Sequence, residues 1–127
     1  MNKHTPIQQE RQEALNWLIE QFPSAFFSQA KQVKPLKLGI YEDLLDFYER
    51  LNYPPLSKKS LRDALNYYSS SKAYLSSQIE GKQRIDLFGY PIELVTKEQA
   101  AYAQHQLTER AIRLTNISAP KAQDLSS

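Results

Sequence analysis

Apolar stripes at helical spacing, each cut off by proline or serine, constrain most what this 127-residue chain can fold into. Between Gln8 and Gln21 the stripe is Ala14, Leu15, Leu18 and Ile19, with Trp17 and Phe22 flanking it and Pro23 ending it. Ser24-Ala25-Phe26-Phe27 then reads as a short turn that anchors two Phe rings in the core. A second helix is expected over about Ile40–Leu51, burying Ile40, Leu44, Phe47, Tyr48 and Leu51 ahead of Pro54-Pro55. Ser57 is placed to N-cap a third helix with Leu61, Ala64, Leu65 and Tyr68 inward. The Ser69-Ser70-Ser71 run breaks that helix and caps a fourth, Lys72 to about Gln78, with Tyr74 and Leu75 turned in.

The pattern changes at Gly81. Arg84–Phe88 and Tyr90–Leu94 alternate in character around Gly89, which predicts a β-hairpin. Thr96 followed by Gln99 is a capping-box pattern that opens a last helix to about Thr115. The expected fold class is α+β: a mostly helical single domain of about five helices with a small β-hairpin before the last helix. Its expected limits are a flexible leader over 1–7, the folded domain over 8–115 and a flexible tail over 116–127. A chain of this length supports one core, not two.

Composition narrows the chemistry. The chain has no cysteine, which excludes disulfides, thiolate metal sites and cysteine nucleophiles. No apolar run approaches the length of a membrane-spanning helix, and Met1–Glu10 lacks the apolar core of a secretory signal, so a cytoplasmic setting is expected. His4 and His105 stand apart without a third ligand, and Asp43 and Asp46 read as a solvated helix face. Tyr68 and Lys72 have the Tyr-x-x-x-Lys spacing of short-chain dehydrogenases, but the glycine-rich nucleotide loop of those enzymes is missing. No enzyme activity, cofactor or metal site is expected.

The net charge of +2 conceals polarity. Residues 31–38, with Lys31, Lys34 and Lys37, carry +3, and residues 56–84, with Lys58, Lys59, Arg62, Lys72, Lys82 and Arg84, carry a net +4. The remainder sums to −5, much of it on the second helix at Glu42, Asp43, Asp46 and Glu49. Folded side by side, the two basic segments form a face suited to phosphate backbones. Ser69, Ser70 and Ser71 at a helix start, with Lys58 and Lys72 nearby and Tyr68 and Tyr74 as aromatic neighbours, read as an anion site.

The same residues carry a resemblance. Phe22-Pro23, the run Lys34-Pro35-Leu36-Lys37-Leu38-Gly39-Ile40-Tyr41-Glu42-Asp43-Leu44, the segment Leu56-Ser57-Lys58 to Leu65, Tyr68–Ser71, Tyr74-Leu75 and Arg84–Pro91 together resemble the ProQ/FinO domain from about Ala14 to Leu114. The resemblance implies a bacterial RNA-binding protein and RNA chaperone that favours 3′ terminator hairpins with a single-stranded U-rich tail. Its partners would then be structured RNA, such as small RNAs and mRNA 3′ ends, and neither a membrane nor duplex DNA; a monomer is expected. By this resemblance Lys37, Lys58 and Arg62 line the RNA face. Tyr68, Ser69, Ser70 and Ser71 form the pocket for terminal phosphates and the 3′ nucleotide, and Tyr74 and Arg84 complete the RNA face, Arg84 reaching from the hairpin. With the neighbouring Lys31, Lys34 and Lys72 these form the expected contact set. Asn66 and Ala73 stand where the family often carries cations. The alternative is a protein-interaction module that docks a partner through the acidic helix or a Tyr-rich surface.

Overall fold

A computed structural model describes residues 6–118 of the chain; the expected flexible leader and tail fall largely outside them. Its helices are α1 (Pro6–Gln21), α2 (Ile40–Glu49), α3 (Lys58–Ser69), α4 (Lys72–Ser77) and α5 (Lys97–Ser118), with a single 3-10 turn at Ala30–Gln32 between α1 and α2. The strands β1 (Gln83–Ile85) and β2 (Pro91–Leu94) form an antiparallel hairpin before α5. Five helices and one hairpin are the expected architecture. α1 begins two residues earlier than the apolar periodicity indicates, and α5 runs three residues further.

Local chemistry sets these boundaries. Ser57 Oγ accepts from the Ser60 N–H at 3.1 Å, which caps α3, and Ser71 Oγ accepts from the Tyr74 N–H at 3.2 Å, which caps α4. At α5 the capping box is reciprocal: the Thr96 N–H donates to Gln99 Oε1 at 3.0 Å, and the Gln99 N–H to Thr96 Oγ1 at 3.1 Å. In the hairpin loop Asp86 Oδ1 accepts from the N–H groups of Phe88 and Tyr90, both at 2.9 Å. Gly89 supplies the positive φ of 86° that closes the loop, where an added Cβ would lie 2.9 Å from the Ser24 Cβ.

One core joins the elements. Leu18, Phe22, Phe26, Leu36, Leu44 and Leu61 are fully buried, and the Phe22 ring meets Phe47 edge-on at 4.9 Å. Of the two Phe rings expected in that core, Phe26 is buried while Phe27 stays half-exposed; Phe47, Tyr48, Leu51 and Leu75 are likewise only partly covered. The Pro35–Lys37 segment joins β1 through an isolated bridge. The Ile85 N–H donates to the Pro35 carbonyl at 3.0 Å, the Lys37 N–H donates to the Ile85 carbonyl at 2.8 Å, and Leu36 bridges Ile85 in parallel sense. This pairing carries the basic 31–38 segment to the hairpin, beside α4.

Candidate functional site

The site grows from Leu36, whose backbone is held on both sides. Its N–H donates to Tyr74 Oη on α4 at 3.0 Å, and its carbonyl accepts from Arg84 Nη1 on β1 at 2.8 Å. Arg84 Nη2 also donates to Gln78 Oε1 at 2.8 Å, just beyond α4, and to Gln99 Oε1 at 3.0 Å, the capping-box glutamine of α5. One guanidinium thus ties the Pro35–Lys37 segment, α4 and α5 together. It is only 4% exposed.

Beside it opens a pocket of about 420 Å³, lined by Leu38, Ser69, Tyr74, Leu75, Gln78, Arg84, Glu98, Gln99, Tyr102 and Ala103. Two buried donors on this wall, Arg84 Nε and Gln78 Nε2, have no hydrogen-bond partner among the described residues. Both atoms are closed to solvent, so they are orphans of the packing behind the wall and not donors presented to the cavity. Ser69, Gln78, Glu98 and Gln99 give the wall its polar side chains, while Leu38, Leu75 and Tyr102 supply apolar contact.

The expected contact residues do not share one environment. Lys31 and Lys34 are exposed, Lys34 with its ammonium 5.7 Å from the Phe27 ring centre. Arg62 and Lys72 are exposed and make no ion pair among the described residues. Lys58, Arg62 and Ser69 follow one another at four- and seven-residue spacing, so they occupy the flank of α3 that borders the pocket.

Lys37 and Lys58 are cations already spent. Lys37 Nζ lies 2.8 Å from Asp43 Oδ2; that hydrogen bond and the charges of Asp43, Asp86 and Glu93 hold its ammonium above its usual range. Lys58 pairs with Glu49, whose hydrogen bond likewise raises its pKa. These pairs also engage Asp43 and Glu49 of the acidic helix α2.

Tyr68 stands in the core, not in the pocket. It is 7% exposed, its ring meets Phe26 edge-on at 5.0 Å, and its hydroxyl accepts from the Phe27 N–H at 3.1 Å. Burial pushes its phenol pKa up. Tyr74 is also buried, yet it forms part of the pocket wall. The serine hydroxyls turn back on the chain: Ser70 Oγ donates to the Asn66 carbonyl and Ser71 Oγ to the Tyr68 carbonyl, each at 2.7 Å. Of the three, Ser69 alone lines the pocket.

Arg110 joins the site from a part of the chain that sequence reasoning passed over. Its Nη2 donates to the Ser70 carbonyl at 3.0 Å, which brings a cation from α5 to the α3–α4 turn. Its spacing from Gln99, Ala103 and Gln106, on the face that α5 turns to the body, was the available signal. The described residues contain no group of three side chains suited to hold a metal, and none of their helices is long and apolar enough to cross a membrane.

Comparison with known proteins finds relatives of the chain. The model of the ProQ/FINO family matches residues 8–118. The RNA chaperone ProQ of Aeromonas hydrophila is 40% identical over 116 residues, 87% of this chain and 53% of that protein. The RNA chaperone ProQ of Pseudoalteromonas atlantica is 43% identical over 97 residues, 76% of this chain and 44% of its own. The chain therefore spans about half the length of the curated relatives it matches. The solution structure of a ProQ homolog from Legionella pneumophila superposes with a TM-score of 0.69 at 52% identity, covering 87% of each chain. A FinO-like RNA chaperone from Neisseria meningitidis, at 23% identity with a TM-score of 0.58 over 82% of this chain and 80% of its own, shares the fold.

Proposed function

We propose, from the premise that the chain belongs to the ProQ/FINO family, that it is an RNA-binding protein and RNA chaperone recognising 3′ terminator hairpins with a single-stranded U-rich tail. It acts as a monomer in the cytoplasm, regulates after transcription, and carries out no catalytic step. One observation supports this reading above the others: the pocket walled by Ser69, Tyr74, Gln78 and Arg84 lies against the flank of α3 that carries exposed Arg62. A duplex stem with a free end needs both features, cations for its phosphates and a recess for its last nucleotide.

The division of labour follows from the chemistry of RNA. The A-form major groove is too narrow for side chains, so a stem is read through phosphates and 2′-hydroxyls. Arg62, Lys72, Lys31 and Lys34 supply exposed charge for those contacts, and Arg110 adds a fifth cation. The terminal nucleotide enters the pocket beside Tyr74 and Gln78, with its base against Tyr102 or Leu38. Glu98, on the same wall, favours a 3′-hydroxyl over a charged 3′-phosphate. Arg84 ties together the segments that wall the pocket.

The test is fluorescence anisotropy with a terminator hairpin bearing a free 3′-hydroxyl. The same hairpin ending in a 3′-phosphate and an equal length of duplex DNA serve as competitors. The hydroxyl-ended RNA is expected to bind at least tenfold more tightly than either. Equal affinity for the two RNA ends removes the pocket assignment, and equal competition by duplex DNA removes the RNA reading altogether.

A further inference from the structure

We propose that a second groove, between α1 and the Pro55–Ser60 stretch, docks an extended Lys/Arg-rich segment of a partner protein. The groove has a volume of about 510 Å³ and is the site of a clustered, one-sided charge. Glu10, Glu13 and Glu20 line it together with Trp17, Leu56 and Ser60, and no Lys or Arg is among its lining residues. The three glutamates and Trp17 fall at three-, seven- and ten-residue spacing from Glu10, which puts them on one face of α1. Their carboxylates form no ion pair among the described residues; Glu13 only accepts a long 3.4 Å bond from Gln9 Nε2.

Trp17 gives this acidic strip a floor. Its ring rests edge-on against Phe22 at 6.4 Å and tilted against Phe47 at 6.1 Å, so the core fixes the indole while part of it stays accessible to the groove. An aromatic face bordered by carboxylates suits guanidinium or ammonium groups, which gain from both ion pairing and the ring quadrupole.

The dimensions select an extended peptide. At about 1.5 Å of rise per residue, Glu10 to Glu20 spans roughly 15 Å of α1. In an extended strand alternate side chains share a face about 7 Å apart, so three cations at every second position span roughly 14 Å. Arg-x-Arg-x-Arg therefore matches the strip in length, its central cation falling between Glu13 and Trp17. Among the described residues, basic clusters are held within the fold: Lys31 sits in a 3-10 turn and Lys58, Lys59 and Arg62 in α3. Ser60 of this groove and Ser69 of the pocket lie on opposite flanks of α3, nine residues apart at about 100° each. A partner in the groove leaves the basic flank open.

Trp17 is the sole tryptophan, so it reports on the groove directly. The experiment titrates the chain, without RNA, with acetylated and amidated Arg-Ala-Arg-Ala-Arg and follows tryptophan emission, with Glu-Ala-Glu-Ala-Glu as control. A saturable change with the basic peptide alone is expected, weakened at least tenfold in the Glu13→Gln/Glu20→Gln double variant. These exposed substitutions on α1 leave the core intact, as the unchanged circular dichroism of the variant will verify. No saturable change, or equal affinity in the double variant, overturns the proposal. Self-association on sedimentation that the double variant abolishes, without a peptide response, assigns the groove to a second copy and overturns it as well. No RNA enters the assay, so its outcome is separate from that of the RNA reading.

Discussion

Replacing Arg84 by alanine separates a surface contact from a structural tie. A fold-neutral contact residue loses ligand affinity and keeps its melting temperature. The observed Arg84 donates three hydrogen bonds, to Leu36 O, Gln78 Oε1 and Gln99 Oε1, from a position 4% exposed. Hydrogen bonds from a charged donor contribute about 1.5–3 kcal/mol each, but desolvating the guanidinium offsets much of that sum. The net loss comes mainly from the acceptors left behind. The buried Leu36 carbonyl loses its donor at a cost of about 1–3 kcal/mol, whereas Gln99 Oε1 keeps the Thr96 N–H. With the cavity left by the side chain, the change destabilises by about 3–5 kcal/mol. That corresponds to roughly 10–20 °C in melting temperature for a domain of this size. Thermal melts by circular dichroism and urea titrations measure it. A melting temperature within about 2 °C of the parent, combined with lost hairpin binding, refutes the tie and makes Arg84 a contact residue alone.

Three further outcomes follow from the same geometry. Arg62→Ala should leave the melt unchanged and weaken hairpin binding about tenfold, the loss of one charge-assisted hydrogen bond; anisotropy and circular dichroism on one sample decide this. Gly89→Ala should destabilise by about 1–3 kcal/mol in urea titrations, because the new methyl meets Ser24 Cβ at 2.9 Å. Gly81→Ala, with a similar φ and nothing within 4 Å, should lose less. Stability should also fall on the alkaline side: Lys37, Lys58 and Tyr68 all have raised folded pKa values, so their contributions are complete below the unfolded values of 10.5, 10.5 and 10.0 and fade as pH rises through the folded ones. Urea midpoints from about pH 8 to pH 11 test the sign, and a midpoint that rises with pH contradicts it.

What was legible in the sequence was local. The Ser57 and Ser71 caps, the Thr96–Gln99 box and the apolar stripes each act within a few residues, and each recurs in the structure. The roles of Tyr68, Tyr74 and Arg84 were not, because their partners lie 41, 38 and 48 residues away at Phe27 N, Leu36 N and Leu36 O. A tyrosine beside a serine run in a basic segment carries no local mark of whether its hydroxyl meets a ligand or a distant backbone amide. The ion pairs of Lys37 with Asp43 and Lys58 with Glu49 pose the same problem. Which lysines stay free depends on how closely α2 approaches its neighbours, and residue periodicity does not encode that.

The count of free cations leads to a quantitative expectation for salt. Of the seven cations in the expected contact set, Lys37 and Lys58 are neutralised by acids and Arg84 is committed internally, which leaves Lys31, Lys34, Arg62 and Lys72. Arg110, at the Ser70 turn, makes five. Each neutralised phosphate contributes about −0.7 to −0.9 to the log–log slope of affinity against salt, so hairpin binding should show a slope of roughly −4. A fully available set of eight gives about −6 to −7. Monovalent-salt titrations of the hairpin complex distinguish the two values. A slope near −6 means that RNA pulls Lys37 and Lys58 away from their carboxylates; a slope shallower than about −1.5 leaves the basic flank without a role. The Asp43→Asn/Glu49→Gln variant completes the argument. It releases both lysines in the free protein, so its slope should steepen by about 1.5 and its affinity should rise. If it behaves as the parent does, those lysines lie outside the RNA footprint, and selectivity rests on the pocket and the four remaining exposed cations with Arg110 at their edge.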